Sequence, residues 1–275
     1  VFGDRQGVMH NLTPRAMPHI AIYSMCTKTY AAARSVRKYC ALHGYTYIVD
    51  TACTLHSDIH FCKQMRIRNV LVARRDIQWM MNIDCDSEVV NASIRIQDFT
   101  QTTANMIMYE RFHTGEIAAG IYIARNVPWT HRFLHKWVNM GAGPNSDNGA
   151  LLSMLATHNC PWPFVVHGNW FDDYFRHLSR CKMAMGVTNC MPADSPYALL
   201  NGNVRVLRRG HGFAIDIGRV HGPLAGLLLK HDAKTTSGVA KAHKEWQAPR
   251  GDMYTAALKY MQQMPFKLAF THCVR

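Results

Sequence analysis

Long apolar runs are missing from this chain of 275 residues. Runs such as Leu224 to Leu229 fall far short of the ~18–20 residues that cross a bilayer, so no membrane span is expected. Acidic residues are scarce too, with 18 Asp and Glu against 31 Lys and Arg and a net charge of +13. Charged residues reach only 18% while hydrophobic ones make up 48%. That composition excludes a disordered polyelectrolyte and allows a sizeable core. A basic balance attracts polyanions: nucleic acid, anionic lipid or a phosphorylated substrate. No stretch reaches the five or six like charges of a basic tail. The densest groups are Arg66, Arg68, Arg74 and Arg75, then Arg205, Arg208 and Arg209. A phosphate-bearing small substrate accounts for the excess as well as nucleic acid does, and nucleic acid is not the expected partner.

Common catalytic signatures are absent. There is no G-x-x-x-x-G-K-[ST] loop, no G-x-G-x-x-G after the first strand, no H-E-x-x-H and no G-x-S-x-G. The P-C-x-x-C half of a deaminase signature is missing as well. The nine cysteines form no C-x-x-C pair and no Cys/His zinc spacing, and their odd number leaves at least one thiol unpaired in a monomer. Sequons occur at Asn11-Leu12-Thr13 and Asn91-Ala92-Ser93, a weak pointer to a secretory compartment. Val1 opens the sequence without Met or a signal peptide, which leaves room for a leader or anchor upstream.

What is there alternates. Residues 1–18 read as an N-terminal arm. His19 to Met25 has strand character, and Thr27 to His43 has helical spacing, with Tyr30, Ala33, Val36, Cys40 and Ala41 on one face. Gly44 stands where a helix C′ glycine belongs, and Tyr45 to Val49 is a second strand ending at Asp50. Phe61 to Ala73 predicts a helix, Gln78 to Ile83 a buried strand, and Asn105 to Tyr109 and Ala118 to Ala124 two more. Pro128 opens a helix with Trp129, Phe133, Trp137 and Val138 on one side, read as core. Asp147 to Ala156 predicts another helix. Beyond about residue 160 the pattern weakens. Strands alternating with helices predict an α/β fold.

The feature that carries chemistry is Asp84-Cys85-Asp86 at the end of an apolar strand. Two carboxylates leaving a strand terminus together would face the crevice at the carboxyl edge, where open α/β sheets bind ligands. Hard oxygen ligands suit Mg²⁺ or Mn²⁺, and such an ion makes a diphosphate a better leaving group. The plain alternative is a turn cap and a solvated side chain. Asp147 likewise offers catalysis or an N-cap, and Tyr23 offers a base-stacking ring or core packing.

The segment Trp79 to Asp86 with Val89-Val90-Asn91 resembles the W-x-x-x-x-D-x-D-x-x-x-x-N stretch of the galactosyl- and xylosyltransferase family of fungal and plant Golgi enzymes. Ala119 to Asn126, followed by Trp129, Phe133-Leu134 and Trp137, is similar to that family's G-x-F-L-I-R-N-x-x-W-x-x-x-F-L-x-x-W. Tyr109 to Gly120, Ser146 to Ala150 and Leu228 to Lys234 resemble segments of a nematode-expanded group of glycosyltransferase-like sequences. The resemblance spans residues 19–235. Cys85 replaces a usually small residue, Gly115 replaces an aromatic before Glu116, and the late segment lacks its aromatic.

The resemblance implies a GT-A-like fold: a mixed, mostly parallel sheet flanked by helices. Residues 19–275 would form one catalytic domain. Its nucleotide-binding half would span 19–110, its acceptor and metal-completing half 111–240, and a C-terminal extension 241–275. The implied function is metal-dependent transfer of a hexose or pentose from a nucleotide-diphosphate sugar, preferably a UDP-sugar, to a glycan or other hydroxyl acceptor, with retention. Asp84, Asp86 and His231 would hold Mn²⁺ or Mg²⁺, and Lys234 would reach the diphosphate. Tyr23 and Ser24 would border the nucleotide, and Glu116 and Asp147 would serve catalysis. The Golgi lumen is the implied setting, with a cytoplasmic or viral one as the alternative. Rival readings are a metal-dependent phosphodiesterase or nuclease on the same acidic pair, and a non-catalytic binding module descended from a transferase.

Overall fold

The strands carry apolar residues on both faces, and both faces are covered. In the computed structural model the described residues are 18–26, 32–55, 59–110, 117–140, 146–159, 196–208, 213–216 and 229–231. Residues 1–17 of the expected arm, Glu116, Lys234 and the C-terminal extension lie outside them.

The first unit is β1 (Ile20–Met25), α1 (Ala32–His43) and β2 (Thr46–Asp50). Gly44 closes α1 with φ +70°, a left-handed conformation that glycine adopts without a Cβ penalty. Then come α2 (Ile59–Ala73), β3 (Trp79–Asp84), the two-residue β4 (Glu88–Val89) and the short α3 (Ile96–Thr100). β5 (Met106–Tyr109) and β6 (Tyr122–Arg125) precede α4 (Pro128–Asn139) and α5 (Ser146–Asn159). The late strands are β7 (Tyr197–Leu199), β8 (Val204–Leu207), β9 (Ala214–Asp216) and β10 (Leu229–His231).

Seven strands form one sheet in the order β2-β1-β3-β6-β5-β8-β7. β1 pairs in parallel with β2 and β3, and β5 with β8, while β6 and β7 run antiparallel to their neighbours. Five of the seven strands therefore point one way, as a mixed, mostly parallel sheet should. A second sheet, β4-β10-β9, contains the other three.

Alternation along each strand divides the core. Tyr23, Met80 and Tyr122 face Phe61, Ile67, Leu71, Phe133 and Trp137 of α2 and α4. Ile20, Ile22, Met81, Ile83 and Ile123 face Val36, Tyr39 and Cys40 of α1. With both faces buried, strands read as continuous apolar runs rather than alternating ones. In α4, Thr130, Phe133, Leu134, Trp137 and Val138 are the buried residues, a single helical face.

One expected strand is shorter than its apolar run. Ala118 to Ala124 yields only Tyr122–Arg125. Side-chain amides take the place of ladder bonds upstream: the Ala119 N–H donates to Asn148 Oδ1 (2.9 Å), and Asn82 Nδ2 donates to the Gly120 carbonyl (2.7 Å). The late strands β7 to β10 have three or four residues each, too short to leave a periodic signal.

Candidate functional site

Parallel pairing puts the carboxyl ends of β2, β1 and β3 on one edge. Met25 is in register with Asp50 on one side and Asp84 on the other. The chain leaves β3 through a turn closed by the Ser87 N–H donating to the Asp84 carbonyl at 3.0 Å. Asp84, Cys85 and Asp86 in that turn are all half-buried, so the acidic pair lies at the sheet edge expected of it.

Asp84 is fixed from two sides. Its Oδ1 accepts from Lys63 Nζ at 2.9 Å. Its Oδ2 packs against Gly120, two residues before β6. A Cβ on Gly120 would lie 3.0 Å from Asp84 Cγ and closer still to Oδ2. Only a residue without a side chain leaves room for the carboxylate.

Asp147, in the first turn of α5, joins this cluster. Its Oδ2 accepts from Gln64 Nε2 at 3.1 Å and lies 3.4 Å from Lys63 Nζ. Its backbone carbonyl accepts from the Trp137 indole at 2.8 Å. These two partners of the carboxylate are on α2 rather than on its own helix. Lys63 is only 8% exposed. Burial by itself would lower the ammonium's pKa, but the charges of Asp84 and then Asp147 outweigh it and hold Lys63 above its ordinary value. Burial pushes the Tyr122 hydroxyl well above its ordinary range, and Asp147, Tyr23 and Asp84 add to the effect.

The other expected residues are distributed as follows. Tyr23 is fully buried, and its hydroxyl donates to Asp50 Oδ2 at 2.9 Å, so the ring presents no open face to a base. Arg66 Nε approaches the same oxygen at 3.1 Å. Ser24 is buried, with Oγ 3.3 Å from Cys26 Sγ. His231 ends β10, whose antiparallel pairing with β4 sets Lys230 against Glu88. On its other side His231 pairs with Asp216 of β9. Glu116 and Lys234 lie outside the described residues.

Lys63, Gln64 and the clearance at Gly120 were not anticipated. The available signal for the first two was a Lys-Gln pair between the apolar Phe61-Cys62 and Met65 of the predicted helix. Two disulfides, Cys26–Cys85 and Cys53–Cys62, also border the site, while Cys40 is a buried thiol pushed up to about 12 by burial.

A divalent ion fits this chemistry. Asp84 and Asp147 share the Lys63 ammonium, and Asp86 lies two residues from Asp84 in the same turn. Among the described residues the buried Ser87 Oγ, adjoining the turn, has no hydrogen-bond partner. Among the described residues no three His, Cys, Asp or Glu side chains form a preformed cage. Two carboxylates suit an ion that keeps phosphate oxygens and waters as its other ligands.

A family model described as "Protein of unknown function, DUF273" matches residues 36–222. Among curated proteins, Probable glycosyltransferase 7 of Oryza sativa subsp. indica is 23% identical over 173 residues, covering 51% of this chain and 39% of the relative. Galactomannan galactosyltransferase 1 of Cyamopsis tetragonoloba is 26% identical over 113 residues, covering 38% of this chain and 26% of the relative. The aligned part is thus well under half the length of either relative. A solved glycosyltransferase involved in the glycosylation of the major capsid of PBCV-1 aligns with a TM-score of 0.46 at 14% identity, over 82% of this chain and 99% of that one.

Proposed function

The chain belongs to the DUF273 family, and we propose that it is a metal-dependent glycosyltransferase of GT-A type, moving a sugar from a nucleotide-diphosphate donor to a hydroxyl acceptor. The observation that carries this reading is the convergence of Asp84, Asp147 and Lys63 beside Asp86, at the carboxyl edge of a largely parallel sheet. Such an edge is where α/β sheets bind nucleotides. The named activities of the plant relatives favour glycosyl transfer over phosphodiester cleavage.

In this reading Asp86 and Asp84 hold Mn²⁺ or Mg²⁺ together with His231, the last residue of β10. The ion would neutralise charge developing on the departing diphosphate. Lys63 keeps the Asp84 and Asp147 carboxylates oriented. Asp147 faces the donor sugar and stabilises positive charge developing at its anomeric carbon. Gln64 fixes the rotamer of Asp147 through its hydrogen bond. UDP-sugar is the preferred donor, a glycan the acceptor, and retention the expected outcome. The two disulfides favour an oxidising setting such as the Golgi lumen over a reducing one.

The test is calorimetric titration of UDP- and GDP-sugars with and without Mn²⁺, on the wild type and on Asp86→Ala. The wild type should bind a nucleotide sugar only with the metal. Asp86→Ala should lose that binding while its circular dichroism stays native. Unchanged Mn²⁺-dependent binding in the variant would overturn the metal assignment. Oligonucleotide cleavage without nucleotide-sugar binding would overturn the transferase reading itself.

A further inference from the structure

We infer that the Cys26–Cys85 disulfide is a positioning device for the acidic turn, and that it sets the geometry in which Asp84 and Asp86 meet a ligand. The clause about ligands rests on the function proposed above; the positioning itself does not.

The β1/β3 ladder runs from Ile20 paired with Trp79 to Met25 paired with Asp84. Its next step would pair residue 26 with residue 85, and those are the two joined cysteines, with Cα atoms 5.2 Å apart. The sulfur bridge is therefore a covalent rung added where the hydrogen-bonded rungs stop. Within the ladder, the strands are already paired at every residue, and a bridge there would add little to their register. Placed one residue later, it extends that register into the turn and fixes the residue between the two carboxylates.

The far end of the bridge is itself anchored. Cys26 is 8% exposed, and its N–H donates to the Asp50 carbonyl at 2.7 Å. The ends of β2, β1 and β3 are thus joined in series, Asp50 to Cys26 to Cys85. Lys63 and Gly120 hold Asp84 from the interior. The disulfide supplies a separate restraint from the strand on the other side. Within the turn itself, the Ser87 N–H to Asp84 carbonyl bond reports whether the shape is kept.

The experiment compares wild type, the double variant Cys26→Ser/Cys85→Ser, and Val204→Ala. Val204 is fully buried in β8, three strands from β3, so it lowers stability without touching the turn. Native-state hydrogen exchange is read at the Ser87 amide, with no ligand present. The double serine variant should exchange there at least tenfold faster than wild type, and Val204→Ala should match wild type at that amide. Equal Ser87 exchange in wild type and the double serine variant would overturn the inference, whatever either protein binds. If the double variant does not fold, the same amide is read on wild type reduced by a water-soluble phosphine. There the disulfide gains two electrons and two protons to become two thiols, and the phosphine takes oxygen from water to become its oxide. A second arm titrates UDP-sugar with Mn²⁺. Binding weakened at least tenfold in the double serine variant supports the functional consequence. Faster Ser87 exchange with no binding in wild type would sink the transferase reading while leaving the positioning role intact.

Discussion

Lys63 lies between two carboxylates in a place that water barely reaches. Replacing it with Met would take the ammonium away from the buried Asp147 and the half-buried Asp84. Breaking a buried ion pair from one side costs about 3–5 kcal/mol. Lys63→Met is therefore expected to lower the urea midpoint by that equivalent. The pH dependence follows from its direction of shift. The folded-state pKa lies above the ordinary 10.5, so the folded protein holds this proton more tightly than the unfolded chain does. Its contribution is complete below pH 10.5 and is lost as pH rises beyond that toward the folded value. Urea titrations from pH 9 upward should show wild type losing stability more steeply than Lys63→Met. Gly120 makes the complementary case. Gly120→Ala places a methyl where Asp84 Oδ2 lies, so the carboxylate must swing away from Lys63. Overpacking of this kind costs about 1–3 kcal/mol. Thermal unfolding should register that loss, and metal-dependent donor binding should fall with it. A variant with native donor affinity would show that the position of Asp84 does not matter to the site.

Elements matter here through the side chains they bring together. α2 is apolar along most of its length because it packs under the sheet with α4 and α5, and it delivers Lys63 and Gln64 inward. α4 fixes the start of α5 through one bond, from the Trp137 indole to the Asp147 carbonyl. Trp137→Phe keeps a ring against Tyr122 and Phe133 but removes the indole's bond to that carbonyl, which keeps its helical N–H partner. The expected cost is about 0.5–1.5 kcal/mol in chemical denaturation. Donor affinity should weaken as well, because the first turn of α5 carries Asp147. Most of these elements were legible from periodicity: α1 with its closing glycine, α4 with its proline start and buried stripe, and β1, β2, β3 and β5. The shortening of β6 was not, because side chains of Asn82 and Asn148 replace its ladder bonds from a distance. β4 and β7 to β10 were not legible either, since two to four residues carry too little pattern.

At the scale of the whole molecule, ligand binding and folding are coupled. A nucleotide sugar with Mn²⁺, at about 100 times its dissociation constant, should stabilise the folded state by about 2.7 kcal/mol. That gain should appear as a higher melting temperature and vanish on chelation with EDTA. A shift that survives EDTA would mean that donor binding does not need the metal. By itself the sequence determined the α/β alternation, the apolar strands and the placement of Asp84-Cys85-Asp86 at a strand end. Those properties are local, written in periods of two and 3.6 residues and in turn chemistry. It also placed Asp147 at a helix start but left its partners open. The tertiary structure alone decided that Lys63 joins Asp84 across 21 residues, that Gln64 reaches Asp147 across 83, and that Cys26 meets Cys85 across 59. Such meetings depend on strand register and helix packing, which no short window of sequence contains. The physical reason is that a side chain's neighbours are set by which strands lie side by side, and that order, β2-β1-β3-β6-β5-β8-β7, is a property of the folded chain as a whole.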